Sequence, residues 1–308
     1  MMHAAQVQQW GEAPKYIEVP TPSAPTSEDT IQVKVLAAGL HRIVRSRASG
    51  EHYSVKNLPH TPGIDCVGVT RDGQQMHCSI SAEAHGGTFR EYVNVPKKNS
   101  SPLPEGADPI QAAALVNPGM SCWMALRNRC QNLPSDFSIL IMGATSLSGT
   151  MAAQLARFLG AGKVIGCARN EKALKAVPGL DESVTLLDPV EKTDFSSLGR
   201  VDVVLDYIYG APAVHLLKSL EPKGTVQYVH VGSLAGLEMS LPGSVLRSKD
   251  LVIRGSGLGS FSVNDFTKEL GPLVKACARI EKQKIKICKL SDVEKMWNEE
   301  GERVVFVP

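Results

Sequence analysis

Residues 139–170, ILIMGATSLSGTMAAQLARFLGAGKVIGCARN, read as strand, turn, helix and second strand in direct succession. ILIM carries no polar side chain, and a strand that is apolar at every residue must have both of its faces covered. Met151, Leu155 and Leu159 recur at helical spacing, and Gly160 and Gly162 close the helix before KVIGCA resumes strand character. A strand, a crossover helix and a second strand make a βαβ unit, in which the strands lie parallel in one sheet under the helix. The surroundings repeat the pattern. GMSCWMALRNR precedes it, and VDVVLDYIYG, APAVHLLKSL, TVQYVHVGS and LVIRGSG follow it. Unbroken apolar strands alternating with amphipathic helices predict an α/β fold with a doubly wound parallel sheet.

The flanks differ from this middle. IQVKVLAAG, from residue 31, has the period and β-branched content of a strand, and GGTFREYVNVP at 86–96 reads as another after a glycine turn. Past a helix near 264–280, IKICKL and RVVFVP return to short strands. The expected organisation is a β-rich domain over 1–117, the parallel-sheet domain over 118–264, and a tail over 265–308 that rejoins the first domain. The lysines of KQKIKICK, near 282–289, read as the solvated face of a half-exposed strand.

The turn between ILIM and the helix decides what the sheet holds. In G-x-G-x-x-G the first glycine makes the tight turn, the second admits the pyrophosphate, and the third lets helix pack on strand. Counting back from Gly149 puts Ala144 and Ser146 at the first two places, with Gly143 just before. Ala and Ser are the smallest substitutes, so the segment Ala144, Thr145, Ser146, Leu147, Ser148 and Gly149 is the candidate phosphate-binding turn. Its hydroxyls lie beside the amides of a helix N-terminus, where orphan N–H groups and the helix dipole favour an anion. At the end of the second strand, about 20 residues on, NAD-binding chains place an acid for the ribose 2'-hydroxyl. Here stands Arg169, with Asn170 and Lys172 near it and Glu171 opposing. A planar donor fork suits a 2'-phosphate, which makes the cofactor NADPH rather than NADH. The alternative is that Arg169 merely caps a solvent-exposed strand end.

Thirty-three Lys and Arg against 31 Asp and Glu leave a net charge of +2, too small to gather nucleic acid or an anionic membrane. No segment approaches the ~18 apolar residues of a membrane span. The seven cysteines are never spaced C-x-x-C, which predicts reduced thiols and no four-thiolate zinc lobe. No tyrosine has lysine four residues on, and neither a G-x-S-x-G elbow nor a P-loop is present.

With AAGLHR, TPGIDCVGV, GGTFREYVNVP, AALVNPGMSCWMAL and the glycine turn in that order, the chain resembles the medium-chain dehydrogenase/reductase superfamily, nearest its zinc-free quinone oxidoreductase branch. The resemblance implies a GroES-like, partly open β-barrel catalytic domain, a Rossmann domain, a cleft between them, and a homodimer joined through the LVIRG edge strand. A start, MMHAAQVQQWGEAPKY, with no basic region before an apolar run, together with the lack of a spanning segment, predicts a cytoplasmic protein. On the positions of the family's catalytic zinc ligands stand His41, Ile64 and Pro118, and the last two offer no lone pair. No metal is therefore expected. What remains is hydride transfer from NADPH to a quinone or another conjugated carbonyl. The resemblance brings Tyr53 near the nicotinamide as a hydrogen-bond donor, or as loop packing. His41 becomes a substrate contact or proton donor, or a satisfied structural histidine. The resemblance also brings Ser121 to the cofactor, Asn117 and Met120 to the cleft floor, and the loop GSGLGSF, with Ser256 and Gly257, over the nicotinamide, unless its glycines simply make a turn. Tyr207 and Gly232 stand at the carboxyl ends of later strands, where open α/β sheets bind their ligand. Two other functions stay open: a reductase of enone or enoyl double bonds, and an NADPH-binding protein with little turnover. The second is suggested by the altered turn and by His41 and Val44.

Overall fold

The computed structural model describes every residue except 53–54, 81–85, 258, 300 and 302. The chain forms two compact units, one from residues 1–117 and 267–308 and the other from 118–266.

In the first unit, β1 (Met2–Gln6) pairs antiparallel with β2 (Lys15–Val19). The ten-residue β3 (Thr30–Gly39) is the spine of the larger sheet, pairing with both β4 (Asp65–Val69) and β6 (Tyr92–Pro96). Beyond β4 the sheet continues through β5 (Gln75–Ser79) to β7 (Ser100–Pro102). Alternation along β3 buries Val33 and Val35 and leaves Lys34 exposed, the period-2 signature of a half-covered strand.

The second unit is a six-stranded sheet in which every pair is parallel. It contains β8 (Ser138–Met142), β9 (Lys163–Ala168), β10 (Glu182–Thr185), β11 (Val203–Asp206), β12 (Val226–His230) and β13 (Leu251–Gly255), ordered β10-β9-β8-β11-β12-β13. The order reverses between β8 and β11, the switch point of a doubly wound sheet. All five residues of β8 are buried, as an apolar strand between helix layers requires. Each such Ile or Leu contributes about 1.5–3 kcal/mol by leaving water. The helix Leu147–Phe158 buries Met151 and Leu155 against the sheet and ends before Gly160, whose φ of +96° suits the left-handed turn out of a helix.

The chain then returns. β14 (Ile285–Lys289) pairs parallel with β15 (Arg303–Val307), and β15 lies antiparallel on β3, with Phe306 opposite Ala38. Phe306 meets Phe89 edge to face in the core of the first unit, centroids 5.2 Å apart.

Two features depart from the sequence reading. The helix around GMSCW begins earlier, at Pro109, runs through Pro118 to Met124, and continues as a π-helical turn over Ala125–Arg129. β10 lacks the apolar run of its neighbours, because an edge strand with exposed Glu182 and Ser183 has less to bury.

Candidate active site

Parallel strands end on the same edge of a sheet, so the carboxyl ends of β8, β9, β11, β12 and β13 present their loops side by side. At β8 the exit is a tight turn. Gly143 has φ +89°, and its N–H and that of Ala144 both donate to the Cys167 carbonyl on β9. Ser146 caps the following helix: its Oγ accepts from the Gly149 N–H at 3.1 Å and donates to the Gly143 carbonyl at 2.8 Å. A Cβ on Gly149 would stand 2.3 Å from the Gly143 oxygen, so only glycine lets the helix approach this closely. Thr145 is exposed and Leu147 and Ser148 half-buried, and the N–H groups of the helix's first turn have no intrahelical acceptor. A small-residue cradle at a helix N-terminus fits a dinucleotide's pyrophosphate.

One strand over, Arg169 follows β9 and is exposed, with no hydrogen bond or ion pair to a described residue. Asn170 is occupied: its Oδ1 accepts from the Ala173 N–H at 3.0 Å and caps the short helix Glu171–Lys175. Lys172 is exposed beside it, while Glu171 is drawn to Lys175. Glu171 is thus paired with Lys175, and Arg169 is open to solvent.

At the end of β11, Asp206 is fully buried. Its Oδ1 accepts from the Ile208 and Tyr209 N–H groups at 2.8 and 3.0 Å, and its Oδ2 from the Tyr228 hydroxyl. Burial raises the carboxyl above its usual range against the pull of those donors, and the same burial raises the Tyr228 hydroxyl. The Tyr207 hydroxyl lies 3.1 Å from Ser121 Oγ, which donates to the Pro118 carbonyl at 2.7 Å. A Cβ on Gly232 would meet the Tyr207 carbonyl at 3.0 Å. Past β13, Ser256 donates its N–H to the His230 carbonyl, and Gly257 donates its N–H to Ser260 Oγ at 2.9 Å. Arg129, on the π-helical turn, ties this loop down through the Gly255 and Ser260 carbonyls, both at 2.9 Å.

The sequence-predicted residues Ser121, Ala144–Gly149, Arg169, Asn170, Lys172, Tyr207, Gly232, Ser256 and Gly257 therefore all lie in the second unit, all but Ser121 following strand ends on one sheet edge. Sequence reasoning missed Asp206 and Tyr228; an acid closing the apolar run VVLD is the signal that marks the first.

In the first unit His41 is 2% exposed. Its Nε2 lies 2.7 Å from Asp65 Oδ1, and its Nδ1 meets Arg303 Nη2, which also donates to the Ala114 carbonyl at 3.0 Å. Arg303 can only donate, so Nδ1 accepts and Nε2–H donates to Asp65. His77 adds a longer contact, 3.4 Å, to the other carboxylate oxygen. Burial lowers the His41 pKa, keeping the ring neutral between an anion and a cation, and burial lowers Arg303 to about 10. Burial pushes Asp65 up, but His41 and His77 outweigh it and hold the carboxyl below its usual range. Ile64 and Pro118 are buried. Tyr53 lies outside the described residues. Among the described residues no group of three or more His, Cys, Asp or Glu is placed to hold a metal ion, and no helix is long and apolar enough to cross a membrane. The seven cysteines are free thiols.

No family model matches the chain. It is 39% identical over 359 residues, covering all of both chains, to a probable NADPH-dependent quinone reductase, tdiC, of Emericella nidulans. It is 27% identical over 271 residues to the quinone oxidoreductase of Sus scrofa, covering 82% of this chain and 76% of that one. Among solved structures, a quinone oxidoreductase of Thermus thermophilus, described with its NADPH complex, superposes with a TM-score of 0.77 at 25% identity, covering all of both chains.

Proposed function

This chain belongs to the medium-chain dehydrogenase/reductase superfamily, in its quinone oxidoreductase branch, and we propose that it is a zinc-independent, NADPH-dependent reductase of a quinone or another conjugated carbonyl. When bound, NADPH supplies the hydride; the protein orients it and the electrophile. The observation that carries the reading is the open Arg169 guanidinium at the end of β9, next to a turn that Gly143 and Gly149 hold narrow. Ala144–Gly149 would take the pyrophosphate on the helix N-terminus, Arg169 and Lys172 the 2'-phosphate, and Ser121, Tyr207, Gly232, Ser256 and Gly257 the remainder.

Zinc independence is supported by the side chains at the family's ligand positions: Ile64 and Pro118 have no donor atom, and His41 spends both ring nitrogens on Asp65 and Arg303. We assign His41 to this bridge and Tyr53 to the hydrogen bond on the substrate carbonyl. We also place the protein in the cytoplasm as a homodimer joined along β13, the sheet-edge strand.

Purified protein is expected to consume NADPH, read at its absorbance, when a small quinone is supplied, and to bind NADPH in calorimetry more tightly than NADH. Indifference to NADPH would overturn the reading.

A further inference from the structure

Tyr209 follows β11 and has φ +57° and ψ −162°, a region that glycine enters freely and a side chain enters at a cost. The neighbouring positive φ values at this sheet edge belong to glycines, Gly143 and Gly210. Three contacts hold the strained backbone in place. Asp206 Oδ1 takes the Tyr209 N–H at 3.0 Å, the ring packs tilted by 32° against the imidazole of His230 with centroids 4.1 Å apart, and Gly210 is wedged 3.1 Å, at its would-be Cβ, from the Ala235 carbonyl. His230 ends β12, and its Nδ1 is buried with no hydrogen-bond partner among the described residues. The Tyr209 ring stays half-exposed, and its hydroxyl bonds to no described residue.

This position matters because of where a dinucleotide must run. Resting on the NADPH reading above, Arg169 marks the adenosine half at β9 and the helix at β8 takes the pyrophosphate. A dinucleotide crosses the reversal of strand order, so its other half lies over the ends of β11 and β12. We infer that Tyr209 is a positioning residue for the nicotinamide half of the cofactor, its ring braced by His230 to form the aromatic side of that seat. A strained conformation that three contacts maintain, on a residue other than glycine, is retained for what the ring touches.

The ring also packs on the core, so the test must separate packing from seating. Calorimetry with two ligands does so: NADPH, and adenosine 2',5'-bisphosphate, which carries only the Arg169 half. Tyr209→Gly, which suits the backbone, is expected to weaken NADPH about tenfold, the worth of one stacked ring, and to leave adenosine 2',5'-bisphosphate unchanged. Tyr209→Phe is expected to restore NADPH affinity. Full NADPH affinity in Tyr209→Gly, or equal weakening of both ligands, overturns the inference. Should Tyr209→Gly not fold, His230→Ala is expected to give the same split, and its absence overturns the inference too. If the unaltered protein binds neither ligand, the nucleotide reading fails and this inference with it; if it binds both and only the split is missing, the reading stands and the role of Tyr209 falls.

Discussion

One gathering of polar groups in each unit bears comparison, because the two are built oppositely. In the first unit His41, Asp65 and Arg303 spend their hydrogen bonds on one another and on a backbone carbonyl, with His41 and Asp65 each 2% exposed. In the second, Arg169 and Lys172 stand exposed, one strand over from the glycine turn. The first set bonds chiefly within itself, although Arg303 Nε is buried without a partner among the described residues, whereas Arg169 and Lys172 bond to no described residue. Burial and partner count, rather than residue type, separate the buried, bonded His41 from the exposed Arg169.

The contrast can be broken at the closed end first. Asp65→Ala would leave Arg303 buried without its anion, and is expected to cost about 3–5 kcal/mol in denaturant unfolding, whatever nucleotide is present. A loss under 1 kcal/mol would mean the cluster is not closed. At the open end, Arg169→Ala is expected to raise the NADPH Michaelis constant ten- to a hundredfold, about 1.4–2.8 kcal/mol, with stability and the NADH constant unmoved. An equal rise for NADH would remove Arg169 from 2'-phosphate recognition.

Acid probes the closed unit again. His60 is 7% exposed and burial lowers its pKa to about 4 from a usual 6.5. The unfolded chain therefore binds this proton first as pH falls, so stability is present above 6.5 and is lost on the way down to about 4. Between pH 7.5 and 5 the loss is about 2 kcal/mol from His60, and His41, shifted the same way, adds to it. Urea midpoints flat across that range would contradict the assignment. The smallest effect is at the cap: Ser146→Ala removes the acceptor for the Gly149 N–H and is expected to cost about 1 kcal/mol, readable as a shifted urea midpoint without loss of cooperativity.

The parallel sheet was legible because ILIM and VVLD carry nothing polar before the closing acid of the second, which forces two covered faces. β10 was not, since ESVT at an exposed edge looks like any polar connection. At the site, the turn and Arg169 declare themselves through local spacing. The state of His41 does not. Its partner Arg303 lies 262 residues away in the chain, and no local pattern encodes a contact made by a returning strand. Asp206 was missed for a related reason, because its tyrosine partner belongs to the next strand along the sheet.

That returning strand also fixes an order of assembly. The second unit draws all its strands from one continuous stretch, whereas β3 stays without its β15 neighbour, and Phe89 without Phe306, until the chain has reached Phe306. On a ribosome, where synthesis is slow beside the closing of a domain, β3 emerges before the parallel sheet and is sealed after it. The newborn polypeptide must therefore shelter an incomplete sheet while its middle is already built.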